Sequence, residues 1–103
     1  MIVYIAGKMR GLPNYGRENF ANAEKKLKDA GLLVLNPATL PIGMEDSKYL
    51  PICLAMLDAS DAIYLLNNWN DSVGAKVEAA YAKAQGKVIW YEDLASEISL
   101  YEK

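Results

Sequence analysis

The chain has 103 residues, 52% of them hydrophobic, with 11 basic and 13 acidic side chains and a formal charge of −2. That length suits one compact domain spanning 1–103, and the interspersed charge leaves no footprint for a nucleic acid polymer and no like-charge tail. With no histidine and a single cysteine, Cys53, the chain excludes Ser-His-Asp and Cys-His catalysis, His-ligated metals, a disulfide framework and a cysteine zinc site.

Residues 2–6 (Ile-Val-Tyr-Ile-Ala) form an apolar run without alternation. This is the pattern of a strand covered on both faces. A glycine-bearing turn follows, Gly7-Lys8-Met9-Arg10-Gly11. Asn14 is placed to cap a helix running to about Ala30, with Phe20, Ala23, Leu27 and Ala30 on one face and Gly31 as its stop. Glu24 and Lys28 make an i,i+4 pair on its outer face.

Leu32 to Leu35 reads as a second strand, closed by Asn36-Pro37. Residues 37–47 carry Pro37, Pro41 and Gly43 and read as a loop that can cover a site. A helix is expected from about Ser47 to Ala59, with Pro51 in its first turn and Leu50, Cys53, Leu54 and Leu57 inward. Ala62 to Leu66 is a third apolar strand. A third helix starts near Asp71 to Gly74, has the stripe Val73, Val77, Ala80, Tyr81 and Ala84, and stops at Gly86. Val88 to Tyr91 is a fourth strand. Glu92 to Lys103 suits a short helix with Leu94, Ile98 and Tyr101 on one face.

The alternation predicts an α/β three-layer sandwich, flavodoxin-like or Rossmann-like, with a mainly parallel sheet of four to five strands. Short right-handed crossovers make the order 2-1-3-4. The winding then reverses between strands 1 and 3, and ligands in open α/β sheets bind there, beyond the carboxyl ends of the strands. The glycine turn after strand 1 and the turn Asn68-Trp69-Asn70-Asp71-Ser72-Val73-Gly74 after strand 3 are brought together by topology alone.

Glu78 lies about one turn into the third helix, at the border of its stripe, near the positive end of the dipole. An ionised glutamate there can attack a sugar C1′ or stabilise positive charge on it. The plain alternative is a solvated glutamate on a helix flank. Tyr4 is either the phenol that orients that carboxylate or an inert core tyrosine. Gly7, Lys8, Arg10 and Gly11 suggest an anion site, though the pattern is neither G-x-G-x-x-G nor a P-loop. Asp71 and Ser72 are good helix caps, and the Ser72 hydroxyl is also a ligand donor. Gly74 permits close backbone approach. Trp69 either stacks on a base or sugar or plugs a core. Cys53, on an apolar stripe with no histidine to activate it, reads as a buried structural thiol.

These segments, together with Val34-Leu35-Asn36-Pro37, Asp61-Ala62-Ile63-Tyr64-Leu65-Leu66, Trp69 through Glu78, Ala80-Tyr81-Ala82 and Gly86-Lys87, resemble the nucleoside 2-deoxyribosyltransferase superfamily over nearly the whole chain. The nearest likeness is to a small, often phage-encoded, uncharacterised branch. The resemblance implies a flavodoxin-like fold, dimers or larger oligomers, and cleavage or transfer of the N-glycosidic bond of a (deoxy)nucleoside or its 5′-monophosphate without a metal or organic cofactor. It places the nucleophile on Glu78, its positioning tyrosine on Tyr4 and a ligand-contacting serine on Ser72. The candidate ligand-binding set is Gly7, Lys8, Arg10, Gly11, Asn36, Trp69, Asp71, Ser72 and Gly74. Two positions depart from the family pattern: a ligand-binding serine is Lys8 here, and an aspartate that serves the sugar or the proton is Cys53, with Asp58 and Asp61 out of register. Those departures keep a second reading open, a module that binds a nucleotide or ribosyl signal without turnover. The first residues lack a basic segment followed by a long apolar one, and no stretch approaches ~20 apolar residues, so the expectation is a soluble, cytoplasmic protein (host cytoplasm if phage-encoded).

Overall fold

The computed structural model describes residues 1–93. In chain order the main elements are β1 (Ile2–Ala6), α1 (Arg17–Asp29), β2 (Leu33–Leu35), α2 (Asp46–Asp58), β3 (Ala62–Leu65), α3 (Val73–Ala84) and β4 (Val88–Tyr91). The four strands form one parallel sheet in the order β2-β1-β3-β4. Tyr4 pairs with Leu35 on one side and Ile63 on the other. The helix expected over 92–103 lies outside the described residues beyond 93. Among the described residues no helix is long and apolar enough to cross a membrane.

Strand alternation divides the interior into two cores. Val3, Ile5, Ala62 and Tyr64 point to one face, where Phe20, Ala23 and Leu27 of α1 cover them. Tyr4, Ala6, Ile63 and Leu65 point to the other, against Leu57 of α2 and Ala75 and Ala82 of α3. This is why β1 and β3 read as unbroken apolar runs: both faces of each strand are buried. At the amino ends of the strands, the Asp61 carboxylate accepts the Ile2 N–H at 2.8 Å. Lys87 Nζ donates to the carbonyls of Asp58 and Ser60 at 3.1 and 2.6 Å, tying β4 to the end of α2.

Four local expectations are corrected. Asn14 does not cap α1: it sits in a short 3-10 turn with φ of 52°, and Gly16 is the N-cap, with no side-chain cap bond. Pro51 lies in the second turn of α2, not the first, so it has no N–H to give to the helix at that point. Leu50 is exposed, and among its expected stripe only Leu57 is fully buried. Finally, α3 is rotated from its expected face. Val73 and Val77 are 80% and 44% exposed, while Ala75, Glu78 and Ala82 are buried. Small alanines let the helix approach the sheet closely, and that rotation turns Glu78 inward.

Gly7, the first residue after β1, is required by close packing. A Cβ there would stand 2.6 Å from Leu66 Cδ1 and 2.9 Å from its Cβ and Cγ. Leu66 is itself buried and its N–H bonds the Ala6 carbonyl, so it has little room to yield. Gly7→Ala is expected to cost roughly 1–3 kcal/mol, the usual range for overpacking. A urea midpoint equal to that of the native protein would refute this.

Candidate functional site

The two turns meet as the topology requires. The Lys8 N–H, in the turn after β1, donates to Asn68 Oδ1, in the turn after β3, at 2.9 Å. Below this junction Tyr4 Oη donates to Glu78 Oε2 at 2.8 Å, across 74 residues of sequence. Tyr4 is 1% exposed and Glu78 7%. A buried carboxylate is rare unless paired, and here a phenol does the pairing.

Burial is the main influence on Glu78. It pushes the carboxyl up from 4.5 to about 7, and the Tyr4 hydrogen bond only partly offsets that. Burial, then the Glu78 charge, then Cys53 push the Tyr4 phenol far above its ordinary value. Tyr4 therefore stays protonated and serves as a donor. Its bond engages Glu78 Oε2.

Cys53 of α2 belongs to the same cluster. Burial, followed by the Glu78 charge, raises its thiol despite the opposing effect of the Tyr4 phenol. It is a neutral thiol, half-buried on the α2–α3 face. The expected structural thiol does pack against the core, though half-buried rather than buried.

The remaining candidates divide. Ser72 is the N-cap of α3, its Oγ accepting the Ala75 N–H at 3.1 Å, so it holds the helix that carries Glu78. Asp71 does not cap; it is exposed in the preceding 3-10 turn. Gly74 faces open space, with Ser72 Oγ 3.9 Å from where a Cβ would be. Arg10 is exposed and ion-paired with Asp46, the first residue of α2. That pair links the glycine turn, which includes Gly11, to the loop over 37–47. The same loop is held by Tyr49 Oη, which accepts the Met44 N–H at 3.3 Å and donates to the Pro41 carbonyl.

Two candidates are engaged within the protein. Asn36 uses Oδ1 to accept the Ala38 N–H at 2.8 Å and Nδ2 to donate to Glu24 Oε1 at 2.9 Å. That carboxylate, also paired with Lys28 at 2.8 Å, is therefore partly turned toward the β2 loop. Trp69 packs on the α2–α3 core with its ring 6.2 Å from that of Tyr91. A groove lined by Ile2, Lys28, Leu33 and Ala59 follows the outer edge of β2, and none of the candidate residues lines it. Among the described residues, no group of three or more His, Cys, Asp or Glu side chains could hold a metal ion.

Residues 1–91 match the family model described as Domain of unknown function (DUF4406). The structure is similar to that of the 2-desoxiribosyltransferase from Leishmania mexicana, with a TM-score of 0.70 and 26% identity. The similarity covers 87% of this chain and 62% of that one, so the chain spans a little under two thirds of that protein's length. No curated protein matches the sequence.

Proposed function

Because the chain belongs to the DUF4406 family and has a nucleoside deoxyribosyltransferase-like fold, we propose that it cleaves or transfers the N-glycosidic bond of a (deoxy)nucleoside or its 5′-monophosphate. The observation that carries this reading is the buried Tyr4–Glu78 bond at the switch point of the sheet. One further feature supports it: burial raises the Glu78 carboxyl to about 7.

In this reading Glu78 Oε1 attacks C1′ while the C1′–N bond breaks and its electron pair leaves with the base. Positive charge on the sugar in the transition state is stabilised by the adjacent carboxylate. Water then releases the sugar and regenerates the carboxylate, with its proton going to the departed base; a second base in place of water completes transfer. Tyr4 keeps the carboxylate oriented throughout. The junction of Lys8 with Asn68 and the first turn of α3, with Ser72 and Gly74, form the ligand side. The experiment is a chromatographic assay for free base, using deoxynucleosides and their 5′-monophosphates with and without an acceptor base, on the native protein and Glu78→Gln. Base released by the native protein alone supports the reading.

The second reading is a module that binds the same ligands without turnover. Cys53 favours it, because a neutral thiol rather than a second carboxylate stands beside the pair. It predicts nucleoside binding by both proteins and free base from neither.

We also propose a homodimer or larger assembly. Val73 and Val77, one turn apart on α3, are exposed large hydrophobics, apolar surface that association would cover. Light scattering at micromolar concentration is expected to give at least twice the 11.4 kDa chain mass. A monomer alone would defeat this.

A further inference from the structure

Beyond their last shared rung, β1 and β3 separate, and a single side chain bridges the gap. Their last paired residues are Ala6 and Leu65. One residue further, the Leu66 N–H still donates to the Ala6 carbonyl at 2.9 Å. At Gly7 the two chains are in contact, with no room for a Cβ against Leu66. An evenly spaced parallel ladder would next send the Lys8 N–H to the Leu66 carbonyl. That carbonyl instead accepts the Trp69 N–H at 2.9 Å, as the chain turns out of the sheet. The Lys8 N–H is taken up by Asn68 Oδ1 at 2.9 Å.

The carboxamide thus stands in for a strand carbonyl, at the reach of a side chain rather than of a backbone rung. It sets how far the two turns stand apart at the switch point, where open α/β sheets bind their ligands. Lys8 lies on the segment that leaves the strand of Tyr4. Asn68 lies on the segment that leads to Ser72, the N-cap of the helix carrying Glu78. An N–H can only donate, so the acceptor is the amide oxygen and the orientation of the carboxamide is fixed. Its Nδ2 has no partner among the described residues. The fold therefore asks this side chain for an acceptor and nothing else.

Resting on the glycosidic-bond reading, we propose that Asn68 is a positioning residue, whose carboxamide spans the gap between the two turns and holds the ligand side at a fixed width. It makes no hydrogen bond to Tyr4 or Glu78, so its loss should weaken ligand capture and spare the chemical step. The test compares Asn68→Ala, which removes the acceptor, with Asn68→Asp, which keeps it at the same reach. The readouts are exchange of the Lys8 amide by NMR and steady-state base release from thymidine and deoxyadenosine. Both substrates are uncharged, so the added carboxylate repels neither. Asn68→Ala should raise KM about three- to tenfold, the scale of one neutral hydrogen bond, and leave kcat within twofold. Its Lys8 amide should exchange faster than in the native protein. Asn68→Asp should restore both the slow exchange and the KM. Should Asn68→Ala not fold, Asn68→Ser replaces it, its hydroxyl ending one bond short of Oδ1. A KM less than twofold above the native value, a Lys8 amide as protected as before, or a fall in kcat with KM unchanged each overturns the positioning role. Where the native protein turns over neither nucleoside, thymidine 5′-monophosphate is the probe for the native protein and Asn68→Ala, read as KM and kcat or, without turnover, as the dissociation constant. No free base from any of the three ends the glycosidic-bond reading and leaves the positioning role to be decided by that constant. Binding of none of the three ends both.

Discussion

Replacing Glu78 with glutamine is expected to lower base release by on the order of 10⁴-fold or more, the scale seen when a covalent catalyst loses its nucleophile. Glutamine keeps the shape and can still accept the Tyr4 hydrogen bond through its amide oxygen, so the geometry at 2.8 Å has no reason to change. What is lost is the negative charge and the lone pair that bonds to C1′. Ligand affinity should therefore survive. The native rate has its own signature. Glu78 must be ionised to attack, and burial places its carboxyl at about 7, so kcat/KM should climb with pH through that value and level off above it. A variant rate within tenfold of the native rate, or a pH profile flat between 6 and 8, would remove Glu78 from the chemistry.

The same substitution should make the protein more stable at pH 8 and leave it nearly unchanged at pH 4. In the unfolded chain the carboxyl titrates at its ordinary 4.5, and in the fold at about 7. The folded state holds the proton more tightly, so the stability that protonation supplies is fully present below 4.5 and is lost as pH rises through 7. The span corresponds to about 3 kcal/mol on the alkaline side. Glutamine, neutral at every pH, does not suffer that loss. Urea midpoints of the two proteins should coincide at pH 4 and separate at pH 8 in favour of the variant. Coincidence at both would show that the buried carboxylate carries no such cost. A protein that retains a group at this expense retains it for something other than folding.

The sheet was legible because its signals are local and redundant. Unalternating runs at Ile2–Ala6 and Ala62–Leu65, each followed by a crossover, leave few topologies, and the order β2-β1-β3-β4 is the simplest of them. Phe20, Ala23 and Leu27 marked the buried face of α1 correctly. The face of α3 was misread for a physical reason: hydrophobicity ranks Val73 and Val77 above alanine, but close helix–sheet packing selects Ala75 and Ala82 and leaves the valines outside. No hydrophobic pattern places a glutamate on the inner stripe, so Glu78 reads as a border residue until Tyr4 is seen beside it. The left-handed turn at Asn14 and Tyr15 was hidden because neither residue type demands it. Arg10 was read as an anion clamp from its neighbours in sequence, while its partner, Asp46, lies 36 positions away on another element.

The span of the Tyr4–Glu78 bond has a consequence for how the protein is made. β1 emerges from the ribosome first, yet its partner β3 and the helix bearing Glu78 follow much later, the latter by 74 residues. At roughly 5–20 residues per second that interval is about 4–15 s. Until β3 follows, an apolar strand destined for the centre of the sheet has only β2 to pair with, and non-local parallel pairing is slow to begin with. Nascent chains halted before β3 would hold the least protected form of this sequence, and would be the first to draw chaperones or to aggregate.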